Sequence, residues 1–369
     1  MNVGLSLLLI VSLLLVANAE AYGPIGHQIV GAIADERLAG TPTGKKVASL
    51  IQGFTLQNAA VIPDEIKGWD KNGVDHPGIF RYSSRPRVDA ELADFWRANP
   101  PIDHDSPIPS HHWFHYTDVP LLNGQKYGDG KVGRSRWDIV QMTNYCVRVL
   151  KGDEPEGNPR KITKAVAIIL LAHFVGDIHQ PLHVGAQYFD DQGRPVDPEK
   201  DPAALEDQGG NTIIFKLSPA AAEKLGVQDA KLHGFWDGMT VALNLPILPK
   251  EMAKEERRAQ TDEAKMALVA QLAKEEPKAW RLPAELNPEQ YAEQWANEIM
   301  PLAREAHDRL QFSNIRRTEE DGHVLATGNA AEKPAADGVP YEEWAAKVVR
   351  GQLHKAGWRL ADLLEKALR

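Results

Sequence analysis

At 369 residues, 43% hydrophobic and 25% charged, the chain has the composition of a soluble globular protein, with room for one large domain or two ordinary ones. Its 51 acidic residues outnumber 42 basic ones, for a net charge of −9, which excludes the broad basic surface used to grip duplex nucleic acid. A single cysteine, Cys146, excludes an internal disulfide, so stability has to come from the core or from bound metal.

In chain order, the first feature is the apolar run from Leu5 to Val16, shorter than the roughly 20 residues that span a bilayer. Small residues follow, and Ala17/Ala19 and Ala19/Ala21 each fit an AxA cleavage pattern. Residues 1–21 therefore read as an export signal, leaving a periplasmic or extracellular protein with no membrane anchor once it is cleaved. Met1 to Leu5 carries no Lys or Arg, and the competing reading is an anchoring or buried N-terminal helix. GPIGHQIVGAIADERL (23–38) puts Ile25, Ile29, Ala32 and Ile33 on one stripe, with Gly40 and Pro42 beyond its end, and predicts a helix. The tract 97–110 is too proline-rich to be regular. Helical periodicity returns at 135–152 and at 162–180. The latter is apolar around most of its circumference, as a central core helix would be. TIIFKL (212–217) alone resembles a strand. A charged tract from about 250 to 276 and the segment 341–368 predict two more helices, with 328–340 of linker composition between them. These features predict one all-α domain over 22–369, with at most a small β-hairpin near 212–217.

Ten of the thirteen histidines fall between His27 and His233. HFVGD (His173, Asp177) and HGFWD (His233, Asp237) share the HxxxD spacing, which places imidazole and carboxylate on one helical face, close enough to share an ion. One such pair is equally well a surface hydrogen bond. Two copies in apolar sequence point more strongly to metal, because buried charge is costly unless it is paired or coordinated. On an ideal helix Asp177 and His183 are about 240° apart, and Pro181 intervenes, so His183 points to a second ion. His179 lies off the His173/Asp177 face and reads as a core histidine or one supporting a ligand. His111 and His112 read as ordinary loop residues. Asp64, following Pro63, is equally compatible with a first-turn carboxylate at a helix dipole.

YGPIGH (22–27), PDEI (63–66), HYTD (115–118), HFVGDIHQPLH (173–183), GGN (209–211) and LHGFWD (232–237) together resemble, in order, the motifs of the S1/P1 nuclease family. QLHKAGWRLADLL (352–364) is similar to that family's closing helix, so the resemblance covers essentially the whole chain after residue 21. It implies a mostly helical fold of the phospholipase C / P1 nuclease type. It also implies three Zn²⁺ per chain and endonucleolytic cleavage of single-stranded DNA and RNA to 5′-phosphate products, with 3′-nucleotidase activity; it calls for no protein partner. Carried over by position, it assigns one zinc to Asp64, His115, His173 and Asp177. A second goes to His27, a shared Asp177 oxygen and the backbone amine and carbonyl of a mature N-terminal Tyr22, and a third to His183, His233 and Asp237. Three such ions would make an electropositive pocket inside an acidic protein.

Two positions depart from the family's pattern. Tyr22 stands where tryptophan is typical, and Lys67 stands where an arginine normally neutralises the transition-state phosphate. Lysine brings charge without the bidentate fork, which leaves Arg81 and Arg85 as alternative contributors. The resemblance further gives Tyr116 a base-stacking role, worth roughly 1–3 kcal/mol for an unpaired base, with a core aromatic as the alternative. Asp118 would accept hydrogen bonds from a base edge and Phe189 would form an opposite wall. Asn211 would sit near the phosphate, orient a ligand or simply stabilise a turn. The competing functions are a zinc phospholipase C acting on lipid headgroups and an exported zinc-binding protein without catalysis.

Overall fold

The computed structural model describes residues 22–100, 110–249, 251–318 and 323–369. The predicted export signal, 1–21, and most of the proline-rich tract, 101–109, lie outside the described residues. Among the described residues the longest helices are, in chain order, α1 Gly23–Leu38, α2 Pro86–Ala98, α3 Ile139–Lys151, α4 Lys164–Ile178, α5 Lys254–Lys274, α6 Tyr291–Asp308 and α7 Tyr341–Ala367. Local chemistry sets their ends. The Asp138 carboxylate accepts from the Val140 and Gln141 amides to open α3, and Gly152, at φ 88°, closes it in the left-handed conformation that glycine adopts without strain. Thr163 Oγ1 caps α4 by accepting from the Val166 amide at 3.3 Å.

Helix α4 is the axis of the molecule. Every residue from Ala165 to Ile178 is buried, and α1, α2, α3, α6 and α7 all pack on it, as its all-round apolar sequence requires. Helix α1 lies between α4, α5 and α7. Among the described residues, no helix is long and apolar enough to cross a membrane.

The all-α expectation is overturned. β1 Val119–Pro120 pairs in parallel with β2 Gly185–Ala186. β3 Tyr188–Phe189 pairs antiparallel with β4 Leu205–Glu206. β5 Ile213–Lys216, β6 Asp229–Lys231, β7 Gln311–Arg317 and β8 Val324–Asn329 form a four-stranded mixed sheet in the order β6-β5-β8-β7. TIIFKL is thus no hairpin arm but an inner strand, antiparallel to β6 and parallel to the distant β8, with Ile213 opposite Ala326. The remaining strands carry little sequence signal. The pairs around the cleft are two residues long, β7 is mostly exposed with a register shift between Ser313 and Arg316, and β8 buries Val324, Ala326 and the glycine Gly328 on one face. The expected linker at 328–340 consequently begins inside β8.

Candidate metal centre

Four short segments and two long helices bring the predicted ligands together. Asp64 sits in the turn Ile62–Glu65, His115 ends the 3-10 turn His111–His115, and His183 ends the turn Pro181–His183. His27 comes from α1, and His173 and Asp177 come from adjacent turns of α4. His233 and Asp237 lie on Leu232–Gly234 and the π turn Phe235–Met239 that follows it. Gly176 permits a close approach of α1 to α4, since a Cβ there would stand 2.9 Å from His27 Nδ1.

The donor atoms converge in clusters. His115 Nδ1 and His173 Nε2 are 2.9 Å apart. They lie 3.2 and 3.1 Å from Asp177 Oδ2 and 4.0 and 3.8 Å from Asp64 Oδ1. The other Asp177 oxygen faces His27 Nε2 at 3.2 Å, so this one carboxylate addresses two groups of ligands. His183 Nε2 lies 3.1 Å from His233 Nε2, and they approach Asp237 Oδ1 and Oδ2 at 3.6 and 3.4 Å respectively.

Protonation decides what these clusters can hold. The Nδ1–H groups of His173, His183 and His233 donate to the carbonyls of Ala60, His115 and Gly209 at 2.7, 2.8 and 2.8 Å. Each Nε2 therefore turns its lone pair inward, the arrangement that carbonyl acceptors impose around metal-bound histidine. Two inward lone pairs 3.1 Å apart repel unless a metal ion or a shared proton lies between them. Burial lowers the His183 imidazole, but the Asp177 and Asp237 carboxylates override it and raise it to about 9. Asp177 is driven the other way: burial favours its neutral form, yet His173 and His183 hold it well below the usual carboxylate range. Among the described residues, His27 Nε2, Asp177 Oδ1 and Asp237 Oδ2 are buried with no hydrogen-bond partner, a costly condition that coordination would relieve. Nitrogen and carboxylate oxygen in these sets are the donors zinc takes, and the residues fit it. Gln180 Nε2 steadies the third cluster by donating to Asp237 Oδ1 at 2.7 Å.

A model of the S1/P1 nuclease family matches residues 22–369. The chain belongs to the S1/P1 nuclease family. Among its relatives, Endonuclease 4 of Arabidopsis thaliana is 27% identical over 143 residues, and Endonuclease 2 of the same plant is 24% identical over 190. Those alignments cover 36% and 47% of this chain and only 39% and 56% of the relatives' own lengths.

In this S1/P1 nuclease family member the clusters border a cleft of about 450 Å³ lined by Lys67, Tyr116, Asp118, His183, Asn211 and His233, among others. Lys67 Nζ donates to Asp64 Oδ1 at 2.6 Å, while neither Arg81, paired with Asp89, nor Arg85 lines the cleft. Tyr116 is 40% exposed and not a core aromatic. Asn211 Nδ2 donates to the Gln208 carbonyl at 3.1 Å, so it also stabilises its turn. Phe189 stands apart: fully buried against Phe312, it belongs to the core and not to the cleft wall. Tyr22 is buried at the base of α1, and its hydroxyl donates to the His179 carbonyl at 2.7 Å. His179 is a core histidine, bonded through Nδ1 to the Val175 carbonyl and through Nε2 to Arg359.

The sequence reading missed several cleft residues. Trp113, 48% exposed, lines the cleft, as do Leu182, Glu206, Gln208, His112 and His323. Trp113 lay inside HHWFHYTD, where an aromatic among loop histidines was the available signal. Nor are His111 and His112 loop residues; both lie on the 3-10 turn that presents His115.

Proposed function

We propose that this chain is a zinc-dependent phosphodiesterase that cleaves single-stranded DNA and RNA endonucleolytically to 5′-phosphate products and also removes 3′-phosphates from nucleotides. The observation that carries the reading is the Asp177 carboxylate, which turns one oxygen to His27 and the other to His115 and His173, as a group shared between two metal ions would. The ligands proposed for three Zn²⁺ are Asp64, His115, His173 and Asp177; His27 and Asp177 with the backbone of Tyr22; and His183, His233 and Asp237. Bound zinc supplies Lewis acidity toward phosphoryl oxygens and lowers the pKa of water from 15.7 to about 7, giving a nucleophile at neutral pH.

The chain's own groups do the rest. Lys67 places a positive charge at the cleft, where phosphate charge grows in the transition state. Tyr116 and Trp113 offer aromatic faces on which unpaired bases stack, a contact a base-paired duplex cannot make. Asp118, on the same cleft, meets the base edge. Export follows in the same reading. Removal of residues 1–21 would free the Tyr22 amine for the second ion and leave 22–369 as the nuclease domain, acting in the periplasm or outside the cell.

The test measures hydrolysis of single-stranded DNA, duplex DNA and phosphatidylcholine by the zinc-replete protein, before and after chelation, with metal analysis and N-terminal sequencing. Chelator-sensitive cleavage of single strands, a Tyr22 N-terminus and three zinc ions per chain are expected. Zinc-loaded protein inert toward single-stranded DNA and RNA would refute the reading, and lipid hydrolysis alone would move it to the phospholipases.

A further inference from the structure

Asp70 follows the 3-10 turn Ile66–Trp69 as its C-terminal cap, just beyond Lys67 on the turn that continues from Asp64. Two side chains of His111–His115 converge on its carboxylate. His112 Nε2 reaches Asp70 Oδ2 at 2.6 Å, and His111 Nε2 stands 3.5 Å from Asp70 Oδ1. One donor atom from each residue lies within 4.8 Å of the other two. None of the three belongs to the ligand sets described above.

A hydrogen-bonded pair accounts for His112 and Asp70 but not for His111. The His111 side chain is 2% exposed, and its Nε2 stands 3.5 Å from the carboxylate, too far for a well-formed hydrogen bond, with no closer partner among the described residues. Burial of an imidazole nitrogen with no partner costs free energy. A metal ion would use it. Zinc ligands at about 2.0–2.2 Å in tetrahedral array stand roughly 3.3 Å from one another, so the 2.6 and 3.5 Å separations need only small side-chain shifts.

The surroundings hold the three groups in place. Trp96 Nε1, from α2, donates to Asp70 Oδ1 at 2.7 Å and fixes the carboxylate plane. Ser110 Oγ accepts from the His112 amide at 3.2 Å and anchors the start of the turn. The His111 ring packs at 6.2 Å from Phe95. On the opposite side His112, with a side chain 41% exposed, lines the cleft. Three protein ligands with one side open to solvent make the pattern of a site that keeps a free coordination position.

We propose that Asp70, His111 and His112 form an additional, exchangeable site for a zinc-class divalent cation at the rim of the cleft. The site is independent of the clusters at His27, Asp64, His115, His173, Asp177, His183, His233 and Asp237. Its open face is turned toward the space a substrate would enter.

The experiment compares full-length wild type with His112→Gln and Asp70→Asn. Each protein is equilibrated with Zn²⁺ and freed of excess, its metal is counted by mass spectrometry, and its fold is checked by circular dichroism. Wild type should retain one equivalent more than either variant. Because a difference is read, the outcome does not depend on how many ions the other clusters hold or on whether the protein cleaves nucleic acid. Zinc-edge anomalous diffraction from wild-type crystals gives a measurement independent of any variant, with a peak expected between Asp70 and His111. Equal zinc counts in folded wild type and variants, or no anomalous peak there, would mean that the three residues form a hydrogen-bonded cluster only.

Discussion

Lys67 stands where the resemblance to the family leads to the expectation of an arginine, and the structure gives its ammonium a definite geometry. The ammonium lies 2.6 Å from Asp64 and lines the cleft, with no arginine among the described residues that line it. A transition-state phosphate would meet a point charge instead of a planar fork. Lys67→Ala should therefore lower kcat on single-stranded DNA by about 10²-fold, the usual cost of removing one transition-state donor. KM should change less, and Lys67→Arg should recover most of the loss. Steady-state kinetics with zinc content measured in parallel checks this; undiminished kcat in the alanine variant would remove Lys67 from the machinery. At this scale the site was largely legible. HxxxD spacing marks residues that share a helical face whatever the tertiary fold, and the break at Pro181 separates His183 from Asp177 in the sequence itself. Glu206 was not legible, because it reaches the cleft through a two-residue strand without periodicity, and Trp113, on a 3-10 turn, had only its histidine neighbours to mark it. Phe189 looked available by sequence position, yet it turns into the core against Phe312.

Elements built around one dominant apolar stripe or run, such as α1, α4 and α7, could be read from the sequence because burial is written into their periodicity. Helix α6 was hidden by Pro301, which sits inside it and reads locally as a stop. The mixed sheet was hidden because its parallel β5–β8 pairing joins segments more than a hundred residues apart. What the elements require of one another is clearest at two helix contacts. A Cβ on Gly176 of α4 would meet His27 Nδ1 at 2.9 Å, and one on Gly357 of α7 would meet Ile33 Cβ at 2.5 Å. Gly176→Ala and Gly357→Ala should each destabilise the protein by about 1–3 kcal/mol through overpacking, measured by urea unfolding. Only Gly176→Ala should also lower bound zinc, since its intrusion displaces a ligand. Zinc loss of the same size in both variants would show that the effect on metal is general loosening and not displacement of His27.

Across the whole molecule, buried ionic contacts tie the helical body to the strands. His307 of α6 meets Asp207, just past β4, at 2.7 Å, and the same carboxylate accepts from the Gln187 amide at 3.0 Å. Burial lowers the His307 imidazole, but the Asp207 carboxylate overrides it and leaves it above its ordinary value. Its contribution is then complete below the unfolded-state pKa of about 6.5 and fades as pH rises through the higher folded-state value. Wild type should lose stability on that alkaline side more steeply than His307→Gln, as thermal unfolding over a pH series would reveal; parallel curves would exclude the pair as the cause. Metal acts over a longer span. His27 and Asp237 are 210 positions apart in the sequence (237 − 27), and the clusters join α1, α4 and four separate short turns. An ion bound only by the folded state stabilises by about 4 kcal/mol at a thousandfold excess over its Kd, which for a chain of this length shifts Tm by roughly 5 °C per site. Chelation should accordingly lower Tm by at least that amount, with recovery on adding Zn²⁺ but not Mg²⁺, whose preference is for oxygen ligands. Scanning calorimetry of the chelated and reconstituted protein checks it. An unchanged Tm after complete removal of zinc would mean that the imidazoles and carboxylates hold the same geometry by hydrogen bonds alone, and the inward lone pairs of His183 and His233 would then have to share a proton.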